Sequence, residues 1–373
     1  MKGVLYVRDN DHITCLACAR KCKITKNLHG FCGVRYNLNN ELIVANWGLF
    51  VAIAIDPIEK KPFYHFYPGH SALSLGTVGC SWACKYCQNW DISQRKQLIG
   101  IKLEPEEIVS IAKSRKELYD VITITFTYNE PSIYPEYSYE VAKIAKKEGF
   151  YISWVSNGYL TEEAIEFASK FLDAITIDIK GNANPRFAKK YILINNYEPV
   201  LEALEELYKK GVHIEITDLV IPKIGDRLED ARNLSKRIHD IMGDNSNIHF
   251  LRFYPNYKLS DIPPTSINIL EKHTQVAKEE GISYVYIGNV LGHKLEHTYC
   301  PECGNIVIKR YGFLVDEVNI GKNNRCKFCG YKLYLEGHAK RSRITSPMYI
   351  ETNKIPIMRK IVDSEIVEVK LSN

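Results

Sequence analysis

The sequence predicts an α/β fold: a partial (β/α)6 barrel of TIM type, with a small cysteine module in front and a second one behind. Three observations carry the prediction. Apolar, strand-like runs alternate with amphipathic stretches of helical period from residue 71 onward. Three thiols follow the first of those runs at C-x3-C-x2-C spacing. The other cysteines of the 11 fall into two groups of four, one on each side of the repeat.

Residues 1–70 read as an entry module and connector. Cys15, Cys18 and Cys22 are followed by Cys32 after a glycine-bearing turn, and four thiolates so spaced suit either zinc or an auxiliary Fe–S cluster. A strand-like stretch at 41–45 precedes Asp56-Pro-Ile-Glu-Lys-Lys-Pro62 and a run of aromatics ending at Pro68-Gly69. Its prolines and rings predict a fixed extended segment lying against the barrel. Its charges either line a site or form a solvated connector.

Residues 71–292 read as the barrel. Strands are expected at 72–78, 121–126, 151–155, 174–179, 213–221 and 249–253, with helices at 105–118, 136–148, 161–171, 197–210 and 227–241. Pro105-Glu-Glu opens its helix with proline early and acids at the positive end. A helix at 267–280 and a strand-like 283–287 close the region. In such a barrel reactive groups sit at the C-terminal ends of the strands. Cys80, Cys84 and Cys87 fall at the end of the first strand. Three thiols are too few for a closed zinc site and one short of ordinary [4Fe–4S] ligation, so a cubane held here has one iron open.

Residues 293–336 carry two C-x2-C-Gly knuckles, Cys300/Cys303 and Cys326/Cys329, separated by 22 residues. Each glycine permits a positive-φ turn that aims both thiolates at one ion. This predicts a zinc ribbon, or a mononuclear iron site of rubredoxin type. His293, His297 and His338 are then surface histidines. Residues 337–373 form a tail with a basic burst, Lys340, Arg341 and Arg343, and strand-like segments. The burst reads as a solvated face or a contact for RNA or an acidic protein.

The composition, 45% hydrophobic and 25% charged with a formal charge of +5, is that of a globular protein without the basic excess of a nucleic-acid enzyme. No apolar run is long enough for a membrane span and the N-terminus has no signal-peptide core, so a cytoplasmic location is expected. Bunched thiols argue for metal groups rather than disulfides.

The cluster motif Gly79-Cys-x3-Cys-x2-Cys-Gln-Asn89, the N-terminal cysteines, Asp56-Pro-Ile-Glu-Lys-Lys-Pro62 and a closing Tyr286-Ile-Gly-Asn-Val290 together resemble the radical S-adenosylmethionine (SAM) superfamily. Within it the chain is similar to the pyruvate formate-lyase-activating-enzyme-like branch and to the radical SAM member of the AmmeMemoRadiSam system. The resemblance implies a [4Fe–4S] cluster on Cys80, Cys84 and Cys87, with SAM on the open iron. Asn129 and Glu130 match the segment that binds the SAM amino group. Ser156 and Asn157 match a "TNG" turn, and Asp178 with Lys180 matches a "D-x-K" whose lysine pairs with the SAM carboxylate. Trp82, Tyr86 and Trp90 are candidates to shield the cluster. Departures stand at Val155, Thr217 and Pro255-Asn-Tyr257, which weaken the transfer of a glycyl-radical substrate. The implied reaction is reductive cleavage of SAM to a 5′-deoxyadenosyl radical that abstracts hydrogen from a protein partner or a small metabolite. A low-potential donor such as ferredoxin or flavodoxin would supply the electron. An RNA-modifying enzyme and a non-catalytic Fe–S/zinc scaffold are the alternatives.

Overall fold

The computed structural model describes residues 1–350 apart from Lys96 and Thr345. Its centre is a sheet containing β1 (Ala52–Pro57), β2 (Ser71–Gly76), β3 (Val121–Phe126), β4 (Tyr151–Ser156), β5 (Ala174–Lys180), β6 (His213–Val220), β7 (Asn247–Arg252) and β8 (Tyr284–Gly288). From β2 to β8 neighbours pair in parallel and in sequence order, with Leu73 opposite Ile124 and Thr125 opposite Ser153. Crossovers run through α1 (Pro105–Tyr119), α2 (Pro135–Ala145), α3 (Glu162–Ser169), α4 (Glu198–Lys209), α5 (Leu228–Met242) and α6 (Ile267–Glu279). The strands are buried almost throughout, because helices cover one face and the barrel interior the other. Local chemistry sets the helix starts. Pro105 opens α1 behind a Glu104/Glu107 capping box, and the Thr161 hydroxyl caps α3 at the Ala164 amide.

The expected barrel is present, with three corrections. The helix expected at 136–148 is α-helical to Ala145 and tightens into a 3₁₀ turn over Lys146–Glu148. The connector expected up to residue 70 is part of the barrel. Its β1 pairs antiparallel with β2 along the whole strand, Ala52 opposite Gly76 and Pro57 opposite Ser71. The basic burst does not stand free: Lys340 pairs with Asp120, and Arg343 donates to the Glu117 carbonyl. Residues Met348–Tyr349 add a strand beyond β1. The remaining strand-like segments of the tail, 351–373, lie outside the described residues.

Residues 58–70 form a strap across the N-terminal mouth of the barrel. The Thr176 hydroxyl of β5 donates to the Lys61 carbonyl (2.7 Å). The Glu215 carboxylate of β6 accepts from the Tyr64 and His65 amides (2.9 and 2.7 Å). His65 Nε2 lies 2.7 Å from the Tyr286 hydroxyl of β8. The interior is therefore closed below and opens at the C-terminal ends of the strands. The ribbon module braces the strap. Arg310, fully buried, donates to the Tyr64 carbonyl (2.9 Å) and the Thr298 hydroxyl (2.7 Å), and its guanidinium covers the Tyr64 ring. Among the described residues no helix is long and apolar enough to cross a membrane.

Candidate active site

Within the barrel lies a cavity of about 980 Å³, lined on one side by Cys80, Cys84 and Cys87. These thiols ride on the loop leaving β2, and the fold holds that loop from both sides. Gly79 has φ +89°, and a Cβ there would come within 2.5 Å of the Cys32 carbonyl oxygen, so only glycine lets the N-terminal module pack this close. On the other side the Ala83 and Lys85 amides donate to the Ile192 and Tyr191 carbonyls (3.1 and 2.9 Å) of a π-turn after β5. Trp82 and Tyr86 are buried in the cavity wall as expected. Trp90 instead lies outside it, 45% exposed and stacked on Tyr257.

Asn129, Glu130, Ser156, Asn157, Asp178 and Lys180 all line the same cavity. Their side chains form one polar belt along the ends of β3, β4 and β5. Glu130 accepts from the Ser132 and Asn157 amides and from the Ser156 hydroxyl (2.9, 2.8 and 2.7 Å). A carboxylate takes about four such bonds, so capacity for one donor is left. Burial pushes its carboxyl up despite these bonds. Asn157 reaches back to the Ser81 hydroxyl (3.0 Å), between the first two cluster thiols. Lys180 Nζ lies 2.5 Å from Asp178, whose other oxygen accepts from Thr217. Asn129 is placed differently. Its carboxamide is spent on the Thr77 amide and hydroxyl and the Gly79 carbonyl (3.1, 3.0 and 2.9 Å), so it braces the backbone leading into Cys80.

The floor holds the charges of the Asp56–Pro62 string, which belong to the cavity rather than to a solvated connector. Asp56, wholly buried, binds Lys60 (3.0 Å), Lys61 (2.6 Å) and the Tyr128 hydroxyl (2.7 Å). Lys60, Lys61, Tyr128, Thr176, Thr217 and His249 line the cavity with the cysteines. The Asp-Pro-Ile-Glu-Lys-Lys-Pro string was the available signal. Its inward direction depends on the antiparallel pairing of β1, which the string does not announce.

The donor set of the cysteine loop fits an iron–sulfur cluster. Burial pushes the Cys80 and Cys87 thiols up, and Cys84 to about 12, so all three need a compensating cation to become thiolates. A single tetrahedral zinc holds its sulfurs roughly 3.8 Å apart. The C-terminal group has that geometry: Cys300 to Cys329 is 3.6 Å, Cys303 to Cys326 is 3.8 Å, and all four ligand atoms lie within 4.8 Å of one another. Gly304 and Gly330 take the expected positive φ, 70° and 80°. His293 and His297 are half-buried rather than on the surface: His293 lies beside Glu271, and His297 accepts from the Arg310 amide. Among the described residues no other trio of His, Cys, Asp or Glu closes this tightly. The N-terminal thiols nevertheless cluster, since burial pushes Cys18 up and Cys15, Cys32 and Cys22 push it further.

The radical SAM superfamily profile matches residues 74–238, from the end of β2 into α5. The chain belongs to the radical SAM superfamily. That family uses a [4Fe–4S] cluster and SAM. An uncharacterized protein of Methanocaldococcus jannaschii is 41% identical over 328 residues, covering 87% of this chain and 96% of its own length. The pyruvate formate-lyase-activating enzyme of Clostridium pasteurianum is 27% identical over 194 residues, 46% of this chain and 76% of that one. Among solved structures, a domain of the pyruvate-formate lyase-activating enzyme of Bacteroides vulgatus superposes with TM-score 0.39 and 14% identity, over 44% of this chain and 98% of that domain.

Proposed function

We propose that this chain is a radical SAM enzyme acting on hydrogen at an unactivated carbon of a small molecule. A bound cluster and SAM would supply, on one electron from a low-potential donor, reductive cleavage of the C5′–S bond to methionine and a 5′-deoxyadenosyl radical able to take a hydrogen atom from substrate. The observation supporting this is that three half-buried thiols and the Glu130–Asn157–Asp178–Lys180 belt face one cavity. Cys80, Cys84 and Cys87 would hold the cluster. Glu130, with one acceptor position left, would take the SAM ammonium, and Lys180 the carboxylate. Asn129 would act by fixing Thr77 and Gly79 rather than by touching SAM. Trp82, Tyr86 and the strap would keep water out of the reaction space.

Strap and ribbon close the floor, so substrate enters from the open C-terminal mouth, and a small substrate is favoured over a protein loop by departures from the activase pattern. The relative from C. pasteurianum is named for activating a lyase, yet Val155 and Thr217 depart from the activase pattern here. The reading as an RNA enzyme rested on the zinc ribbon and the basic burst, and of the burst Lys340 and Arg343 are engaged with the barrel at Asp120 and Glu117. For the N-terminal thiols we propose a second cluster, zinc being the alternative that the same four thiolates accept.

The test is anaerobic reconstitution with iron and sulfide, reduction, addition of SAM, and assay of 5′-deoxyadenosine. Product in the wild type and at least a hundredfold less in Cys84→Ala is the expected result. An EPR-silent protein that binds only zinc would overturn the reading in favour of a scaffold.

A further inference from the structure

The floor of the cavity carries a charge arrangement that SAM binding at the belt does not use. Asp56 ends β1 with its carboxylate fully buried, and the following turn returns two lysines to it. Lys60 Nζ lies 3.0 Å from one oxygen and Lys61 Nζ 2.6 Å from the other. One carboxylate faces two ammonium groups, which leaves one positive charge in excess. The neighbouring Glu59 does not cancel it, because it turns to the Gly69 amide (2.9 Å) and Arg310 (3.6 Å). Glu296, also on the cavity wall, accepts from the Gly292 and Gly312 amides (3.1 Å each). Lys61 is 3% exposed, and its ammonium sits 4.2 Å over the Tyr128 ring, whose hydroxyl donates to Asp56. Tyr128 is in turn tied to the cluster loop, since Asn89 donates to its carbonyl (2.7 Å).

An apolar pair of similar volume would be as stable as a buried ion pair, or more so, so stability alone does not account for the charges. A second lysine on the same carboxylate, with both lysines on a cavity wall, has a direct use. It holds an anion where water is scarce and the attraction strong. We propose that Lys60 and Lys61, poised by Asp56 and Tyr128, form an anion subsite that anchors the carboxylate or phosphate of a small substrate. The inference rests on the radical SAM reading, since it takes the carbon to be attacked as lying between this subsite and the cluster loop.

The test uses the reconstituted full chain with SAM, titrated anaerobically with inorganic phosphate and, separately, with ¹³C-carboxyl malonate, each followed by line broadening in NMR. Saturable broadening of one or both anions is expected in the wild type. Affinity should fall at least tenfold in Lys60→Met and Lys61→Met and be largely kept in Lys60→Arg. Lys60 is partly exposed, so its variants remain informative if Lys61→Met fails to fold. Phosphate binding without malonate assigns a phosphoryl substrate, and the reverse assigns a carboxylate. No saturable binding of either, or Lys60→Met binding as wild type, would overturn the subsite. Anion binding in a protein that makes no 5′-deoxyadenosine from SAM would instead overturn the radical reading and leave the subsite standing.

Discussion

Two carboxyls, Glu130 on the cavity wall and Asp218 on the helix-facing side of β6, are both buried and differently provided for. Glu130 collects three donors from two strands, whereas Asp218 of β6 accepts from the Asn182 amide alone (3.0 and 3.2 Å to its two oxygens). Burial pushes the Asp218 carboxyl up to about 7, against that bond and the nearby Lys180. The folded state thus holds a proton that the unfolded chain releases near its ordinary 3.8. The stability so conferred is fully present below that value and is lost as pH rises through about 7. Asp218→Asn keeps an oxygen for the Asn182 amide and removes the charge. It should raise unfolding free energy at pH 8 by about 2–4 kcal/mol, with the gain shrinking toward zero near pH 4, in urea titrations read by tryptophan fluorescence. At this scale the sequence was legible where chemistry dictates residue type: thiols after the first strand, a carboxylate after the second, a lysine after the fourth. The true partners of Asn129 were not legible, because a carboxamide's choice between ligand and backbone depends on which strand end lies within reach.

At the scale of elements the strap and β6 are one unit. Glu215 sits in the strand His-Ile-Glu-Ile-Thr-Asp-Leu-Val and accepts from two strap amides and from His249 (3.0 Å), with His213 at 3.4 Å. Burial pushes its carboxyl up, but the bonds from His213 and His249 outweigh that and hold it below the usual range. Removing it leaves two buried amides and a buried histidine without an acceptor, so Glu215→Ala should cost about 3–5 kcal/mol. The measurements are urea unfolding and limited proteolysis, with new cleavage expected between residues 58 and 70. Wild-type resistance there would mean that the strap is held by its aromatic contacts instead. The sequence announced the strap through prolines and rings, and the barrel strands through apolar runs of the right length. It did not announce β1 as the antiparallel partner of β2, since a short apolar run reads the same whichever neighbour it finds.

For the whole molecule, the three cysteine groups are held by three different kinds of scaffold. The ribbon knuckles are short turns on a small hairpin, and they close to zinc spacing without help from the barrel. The central trio is clamped between the N-terminal module and the π-turn, on the wall of a cavity. The first group belongs to a module that reaches that loop directly, through Cys32 against Gly79 and Arg20 onto the Ser81 and Leu193 carbonyls. Spacing in the sequence could find all three groups but could not rank them, because zinc and clusters accept the same four thiolates. A count of bound metals separates the two readings. If the N-terminal thiols hold a [4Fe–4S] cluster and the ribbon holds zinc, the anaerobically reconstituted chain carries about eight irons and one zinc, and mononuclear iron in the ribbon would replace that zinc with a ninth iron. If they hold zinc, it carries about four irons and two zincs. Elemental analysis of the wild type beside Cys15→Ser and Cys303→Ser assigns each ion to its group. The expected outcome is loss of about four irons in the first variant and of the zinc in the second. Because the first module packs on the Gly79–Ser81 backbone, Cys15→Ser should also change the EPR signal of the remaining cluster. An unchanged signal would mean that the module is a neighbour of the central site without being a support for it.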